Sequence, residues 1–502
     1  MRLLQRALVT VAGSAAIAAG ALGCKPVATQ YPQPRLVILY ASCTVNRLYA
    51  APYNTDVVYT PHLETFAKGA TVFDKHHTES GQSGIAFASL FTGSQARIHG
   101  IFKHPRKLLP KLVVVPEVFA AAGYDTHSWL FHKMASSRLE YAQGVPVTQQ
   151  YQDGPLEASS EPFVKILERL TNEPDYRAFV VTNFTVTHGP YQGELLDEFC
   201  NRYPGECTKR GNDEELEKFK QLNKDHLRLL SVDYDVAVEE LELSATDERR
   251  LREINEMLYK ADMYRLDKMF GAVVAAVEAA GLFEDSVIAF TSDHGEVLWR
   301  DNALLRWTHG YQLAPEVINV ALMMSGPNVG IPAWRYTGVS RSIDVMPTLT
   351  SLAGIALPED YEGRGANLAA PIRRHSKPPD LTAFSHSALL FAPMRGRRME
   401  HLSALFPSPN PEYMWVSARR GDLYFKLRRR TDDSWYHSVY DLARDPEERN
   451  DLFDAKDPAQ REILELLDQY KEEMTNAGYT AQARGVPRAK AIEMLRSMGY
   501  ID

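Results

Sequence analysis

Cysteine is scarce: only Cys24, Cys43, Cys200 and Cys207 occur in 502 residues. A small disulfide scaffold is therefore excluded, and a chain of this length must be held by one large apolar core, or by one core plus a smaller subdomain. A basic excess is also lacking. Lys and Arg number 56 against 64 Asp and Glu, a formal net charge of −8, so there is no electrostatic footprint for a nucleic-acid partner. No internal repeat and no long low-complexity tract is visible. Long apolar runs are confined to the first 24 residues, and no later segment is long and apolar enough to span a bilayer.

What is present at the start is a charged opening, Met1 to Arg6, followed by the small apolar run "ALVTVAGSAAIAAGALG" up to Cys24. That pattern reads as a secretory signal over residues 1–23. The "ALGC" ending is similar to a bacterial lipoprotein cleavage site, so Cys24 is expected to carry lipid and to tie an exported chain to a membrane. Residues 24–34 read as a tether. In an oxidising compartment Cys200 and Cys207, which flank the turn-like "NRYPGE", are expected to form a local disulfide worth less than ~3 kcal/mol. Cys43 is then left alone, at the end of an apolar run.

From Arg35 the chain alternates. "RLVILY" reads as a buried strand, "PHLETFAKGATVF" as helix, turn and strand, and "PEVFAAAGYDTHSWLF" repeats that unit. "AFVVTNFTVTHGPY" is a strand leading into a loop, and the Glu-, Lys- and Leu-rich stretch 212–252 reads as exposed helix running on into a longer apolar helix. "SVIAFTSDHGE" closes the series as a strand. Alternation of this kind predicts an α/β fold, a mostly parallel central sheet flanked by helices. The expected unit spans 35–379 with a helical insert at about 200–252. Short strands and one helix over 380–502 predict a smaller α+β subdomain.

Ligands of such sheets bind beyond the carboxyl ends of the strands. Four stretches fall there: "SCTVN" with Cys43, "SGQSG" with Ser83 before a helix, "THGPY" with His188, and "SDHGE" with Asp293 and His294. His309, in "WTHGYQ", is a third histidine followed by glycine. A carboxylate and an imidazole side by side at a strand end are metal-ligand types. Each motif alone is weak, and their convergence is the signal.

The order of the motifs resembles the sulfatase family within the sulfatase and alkaline-phosphatase superfamily. "TPHLETFAKGATVF", "ASLFTGSQARIHGI", "HGPY", "TSDHGE", "HGYQLAPEVINVALMMSGP", "SIDVMPTLTSLAGIALPEDYEGRG", "VYDLARDPEERNDL" and the final "LRSMGYID" are each similar to a family segment, in sequence order. The resemblance implies an alkaline-phosphatase-like fold and hydrolysis of sulfate or phosphate esters, small or on glycans. It sets Ser83 at the nucleophile's place, His188 and His309 beside the ester, and Asp293 with His294 on a divalent metal.

Three departures matter. Ile85 and Phe87 replace the Pro or Ala and the Arg that accompany conversion of the nucleophile to formylglycine, so Ser83 is expected to act as a plain hydroxyl. Cys43 and Thr44 (or Ser42 and Cys43) stand where relatives carry a carboxylate pair, and Phe131, His132 and Lys133 where they carry a lysine. With a thiol in place of carboxylates, Zn²⁺ or Mn²⁺ fits Cys43, Asp293 and His294 better than Ca²⁺, which takes six to eight oxygens. Two readings follow: a hydrolase with an altered site, and a protein that keeps the fold, has lost catalysis and binds anionic glycans.

Overall fold

Leu36–Ser42, "LVILYAS", is buried at every position, as a strand covered on both faces must be. The computed structural model describes residues 31–480 apart from 233, 302–304, 311, 388–414 and 430–434. The expected leader over 1–23, Cys24 and the final "LRSMGYID" lie outside the described residues. Nine strands form the main sheet: β1 (Leu36–Ser42), β2 (Thr71–His77), β3 (Asp125–Leu130), β4 (Gln150–Tyr151), β5 (Ala178–Asn183), β6 (Ser286–Ser292), β7 (Asn319–Val320), β8 (Leu322–Ser325) and β9 (Trp334–Arg341). Their order is β4-β3-β5-β1-β6-β8-β2-β7, with β9 on β2. Pairings β1–β5, β1–β6, β3–β4, β3–β5 and β2–β9 are parallel, whereas β8 pairs antiparallel with β6 and β2, and β7 with β2.

Alternation along β1 divides the core in two. Val37, Leu39 and Ala41 point into one apolar cluster with the helix Ser83–Thr92; Leu36, Ile38 and Tyr40 point into another with the 35-residue helix Ala245–Ala279. That long helix starts on a Ser244–Asp247 capping box. The stretch expected as exposed helix folds as Asp213–Val232 and Tyr234–Glu240. It differs from the expectation because a stripe of Leu216, Phe219 and Leu230 is buried in the second cluster, which the density of charge in the sequence conceals. The Cys200–Cys207 disulfide closes the turn beside it.

Beyond residue 380, β10 (Thr382–His386), β11 (Val416–Arg420), β12 (Leu423–Arg429) and β13 (Trp435–Asp441) form a four-stranded antiparallel sheet, in that order. The helix Pro458–Thr480 packs on it. This layer is fastened to the main sheet by polar contacts: Ser385 donates to Thr78 O at 2.6 Å, and Tyr424 donates to Leu313 O at 2.7 Å.

The antiparallel link through β8 leaves β2 running the same way as β6. Strands β1, β2, β3, β5 and β6 therefore deliver their carboxyl ends to one edge of the sheet, and the chain leaves each of them there in a loop.

Candidate active site

Ser83 opens a ten-residue helix in which every residue is buried. Gln82, in extended backbone, precedes it, and Gly84 lets His104 lie against the first turn: a Cβ at Gly84 would meet His104 Cβ at 2.6 Å. Beside it, the ends of β1 and β6 bring Cys43, Asp293 and His294. Ser83 Oγ lies 3.0 Å from His294 Nε2 and 3.4 Å from Cys43 Sγ. Cys43 Sγ is 3.8 Å from His294 Nε2, which is 3.4 Å from Asp293 Oδ2. Thr44 sits in left-handed backbone at φ 57°, a strained state for a β-branched residue. Tyr259, donating to Thr44 O at 2.7 Å, helps to hold it there.

Hydrogen bonds decide what each imidazole presents. His294 Nδ1 donates to Gly295 O at 2.9 Å, and His188 Nδ1 to Gly189 O at 2.6 Å. In a neutral ring this leaves Nε2 with its lone pair. Ser83 Oγ–H therefore donates to His294 Nε2. His132 and His104 are the opposite tautomer: their Nδ1 atoms accept from Met134 N at 3.1 Å and Gly84 N at 3.3 Å, which places the proton on Nε2. His309 Nδ1 faces both oxygens of Glu296, at 3.2 and 3.3 Å, so the two side chains hold a proton between them. The His309 ring lies 4.3 Å from His294 and 5.0 Å from His188, centroid to centroid.

Burial dominates the electrostatics. It holds His294 and His132 well below the usual imidazole range, and brings His188 to about 4 and His309 to about 3. The cluster is neutral at neutral pH, and His294 is available as a base. Burial likewise raises Asp293 to about 7 and Glu296 to about 8. Burial, and Asp293 beside it, push the Cys43 thiol well up.

Asp293 Oδ2 is buried with no hydrogen-bond partner, an uncompensated state that a cation would relieve. Atoms of Cys43, His132 and Asp293 lie within 4.8 Å of one another. His132 carries its proton on the free nitrogen, so His294, with Nδ1–H tied to a carbonyl, has the second contact typical of a ligand. Cys43, Asp293 and His294 thus fit a divalent metal, and His132 fits an anion oxygen.

The six residues singled out from the sequence (Cys43, Ser83, His188, Asp293, His294 and His309) converge here. Glu296 and His104 were not among the candidates, and His132 appeared only as a residue in register. The signal for Glu296 was its place two residues after His294, in the same turn.

A family model described as Sulfatase matches residues 42–355. The ulvan-active sulfatase of Formosa agariphila is 24% identical over 321 residues, covering 61% of this chain and 59% of that protein, less than two thirds of its length. The delta 4,5-hexuronate-2-O-sulfatase of Bacteroides thetaiotaomicron is 22% identical over 477 residues, covering 89% and 90%. Among solved structures, the phosphonate monoester hydrolase of Agrobacterium radiobacter superposes with a TM-score of 0.59 at 17% identity, over 89% of this chain and 96% of that one. Ordered motifs, the sheet with its loops at one edge, and a family match over more than half of its length lead to one conclusion: the chain belongs to the sulfatase family.

Proposed function

We propose that the chain is a hydrolase of sulfate or phosphate esters in which the unmodified hydroxyl of Ser83 is the nucleophile. The observation that carries this reading is the 3.0 Å contact from Ser83 Oγ to the bare Nε2 of His294. A nucleophile within hydrogen-bond reach of an oriented base is the arrangement that activates a hydroxyl. Ser83 attacks the sulfur or phosphorus, and its proton passes to His294. The Nε2–H of His132 faces the anion's oxygens as a neutral donor. The proton held between Glu296 and His309 is placed for the leaving alkoxide, and water then releases the group from Ser83. The near-complete burial of Ser83, Asp293 and His294 strengthens each of these contacts.

With a divalent metal held by Cys43, Asp293 and His294, the His294 Nε2 lone pair would be spent as a ligand rather than as a base, and the metal would take over that role by acidifying Ser83 and neutralising the ester; a site with a thiol suits Zn²⁺ or Mn²⁺ better than Ca²⁺. Names of relatives that act on ulvan and on hexuronate sulfates support a sulfated glycan as substrate. The Cys200–Cys207 disulfide and the leader support export, with Cys24 as the lipid anchor.

The test is turnover of an aryl sulfate and an aryl phosphate by purified protein with Zn²⁺, Mn²⁺ or Ca²⁺, beside Ser83→Ala. A loss of at least about a thousandfold is expected in Ser83→Ala. Equal trace rates for both proteins in every metal would sink the hydrolase reading in favour of a glycan-binding protein without catalysis. The peptide mass around Ser83 should be that of serine; a formylglycine mass would replace the plain-hydroxyl mechanism.

A further inference from the structure

The two loops that carry Asp293, His294, Glu296 and His309 do not end at the site. They run on through Arg300 and Ala314 to form one wall of a separate cavity of about 470 Å³, whose other wall is the second sheet. Arg300, Trp415, Lys426, Arg428, Tyr440 and Glu448 face it. We propose that this cavity binds an anionic sugar ring, a pyranoside bearing a carboxylate or a sulfate, beside the ester that the site cleaves. The proposal rests on the hydrolase reading for its link to turnover, and deepens it by naming the rest of the substrate.

Charge is the first argument. Four cations, Arg300, Lys426, Arg428 and Arg449, line the cavity against the single carboxylate of Glu448, in a chain of net charge −8. Glu448 is shared by Arg300, at 3.1 Å, and Lys426. Glu316 gives Arg300 a second partner at 3.2 Å. This chain of pairs accounts for the two most buried cations as fasteners between the loops and the second sheet. It does not account for Arg428, which pairs with no carboxylate among the described residues. Arg428 Nε and Arg300 Nε are both buried without a hydrogen-bond partner, a state that an anion on this wall would relieve. Burial also pulls Lys426 down to about 8, with Arg428 and Arg300 adding to the effect, and an anion bound on this wall would oppose that shift.

Shape and chemistry of the remaining wall point to a sugar rather than a bare ion. Leu313, Ala314, Trp415 and Tyr440 belong to one apolar cluster and line the cavity, an apolar side against which the C–H face of a pyranose would pack. The volume lies in the range of small-molecule sites. Glu448 is held in left-handed backbone at φ 58°, where Asp445 accepts from Arg449 N and Asn450 N at 3.0 and 2.8 Å. Strain of this kind collects at ligand sites. Finally, Gln312 on the cavity wall is three residues from His309, so their Cα atoms lie within roughly 11 Å of each other, which a disaccharide can bridge.

The experiment is titration calorimetry on the full chain carrying Ser83→Ala, with methyl β-glucuronide, glucose 6-sulfate, neutral methyl β-glucoside and inorganic sulfate as probes. Both anionic sugars should bind, with the neutral glucoside and bare sulfate at least about tenfold weaker. Arg428→Ala should weaken the anionic sugars by about tenfold or more with an unchanged melting temperature, and Arg428→Lys should restore most of the affinity. Binding of the glucuronide alone, or of the sulfated sugar alone, would identify the anion the cavity takes. Equal affinity for neutral and anionic sugars, no binding of either anionic sugar at millimolar concentration, or indifference to Arg428→Ala would overturn the proposal. Because the protein used cannot turn over, failure here is read separately from failure of the Ser83 test.

Discussion

Whether a histidine in the site gives or takes a hydrogen bond is set by the partner of its other nitrogen. His294 and His132 both point at the reacting region, yet one offers a lone pair and the other a proton, because a carbonyl faces Nδ1 in the first and an amide N–H in the second. Such roles cannot be read from residue types, since the partners are backbone groups of Gly295 and Met134. The convergence of Cys43, Ser83, His188, Asp293, His294 and His309 was legible, because all but His309 stand past the end of a buried strand or at the head of a buried helix, and His309 is marked by the glycine that follows it. Glu296 was not, as its carboxylate gains meaning only from the 3.2 Å contact to His309. Glu296→Gln keeps the shape but removes the shared proton, so kcat on an aryl ester should fall by about 100-fold or more. Metal content by elemental analysis should stay the same. An unchanged kcat would remove Glu296 from the catalytic account.

At the scale of the element, the helix Ser83–Thr92 positions its first residue through close packing on every side. Tyr141 donates to Gly84 O at 2.6 Å, Gly84 N donates to His104, and the Phe87 ring lies 5.9 Å from that of His132. Phe87 is fully buried, so an unpaired charge at this position would be costly. Gly84→Ala would place a Cβ 2.6 Å from His104 Cβ and 3.3 Å from Met134 O. Overpacking of this kind costs about 1–3 kcal/mol. Calorimetry should show a melting temperature lower by several degrees, together with a reduced kcat because Ser83 is the adjoining residue. A stable variant with full activity would show that the first turn yields freely. Helix and strand types were legible from period and capping. The burial of Leu216, Phe219 and Leu230 was hidden, because three apolar residues among many charges do not announce a partner surface.

For the whole molecule, Glu79 ties the layers together. Ser89 of the nucleophile helix donates to Glu79 Oε2 at 2.7 Å, and Tyr470 of the C-terminal helix lies 3.1 Å from Oε1. His386 of β10 donates its backbone N–H to Glu79 O at 2.8 Å. Burial raises Glu79 to about 7 from an ordinary value of 4.5. The folded state therefore keeps a proton that the unfolded chain has lost between those values. This contribution is complete below about pH 4.5 and disappears as pH rises through 7, on the order of 3 kcal/mol in all. Glu79→Gln should lose less stability than the parent chain between pH 5 and pH 8 in denaturant titrations; parallel curves would contradict the assignment.

The alternation of strands and helices made the parallel sheet legible from sequence. Its antiparallel link was not, because β7 and β8 are two and four residues long and fall below the length at which a period can be seen. The sheet's order has a consequence for synthesis. Among the described strands β1 is made first, but its neighbours are β5 and β6, and Ser292 of β6 follows Ser42 by 250 residues. At ordinary rates of translation the ribosome needs roughly 10–50 s to cover that distance. Until β5 is made (Thr182 follows Ala41 by 141 residues), the nascent chain carries "LVILYAS" with no partner on either side, and until β6 follows one side stays open, making β1 a segment for a holding chaperone to cover.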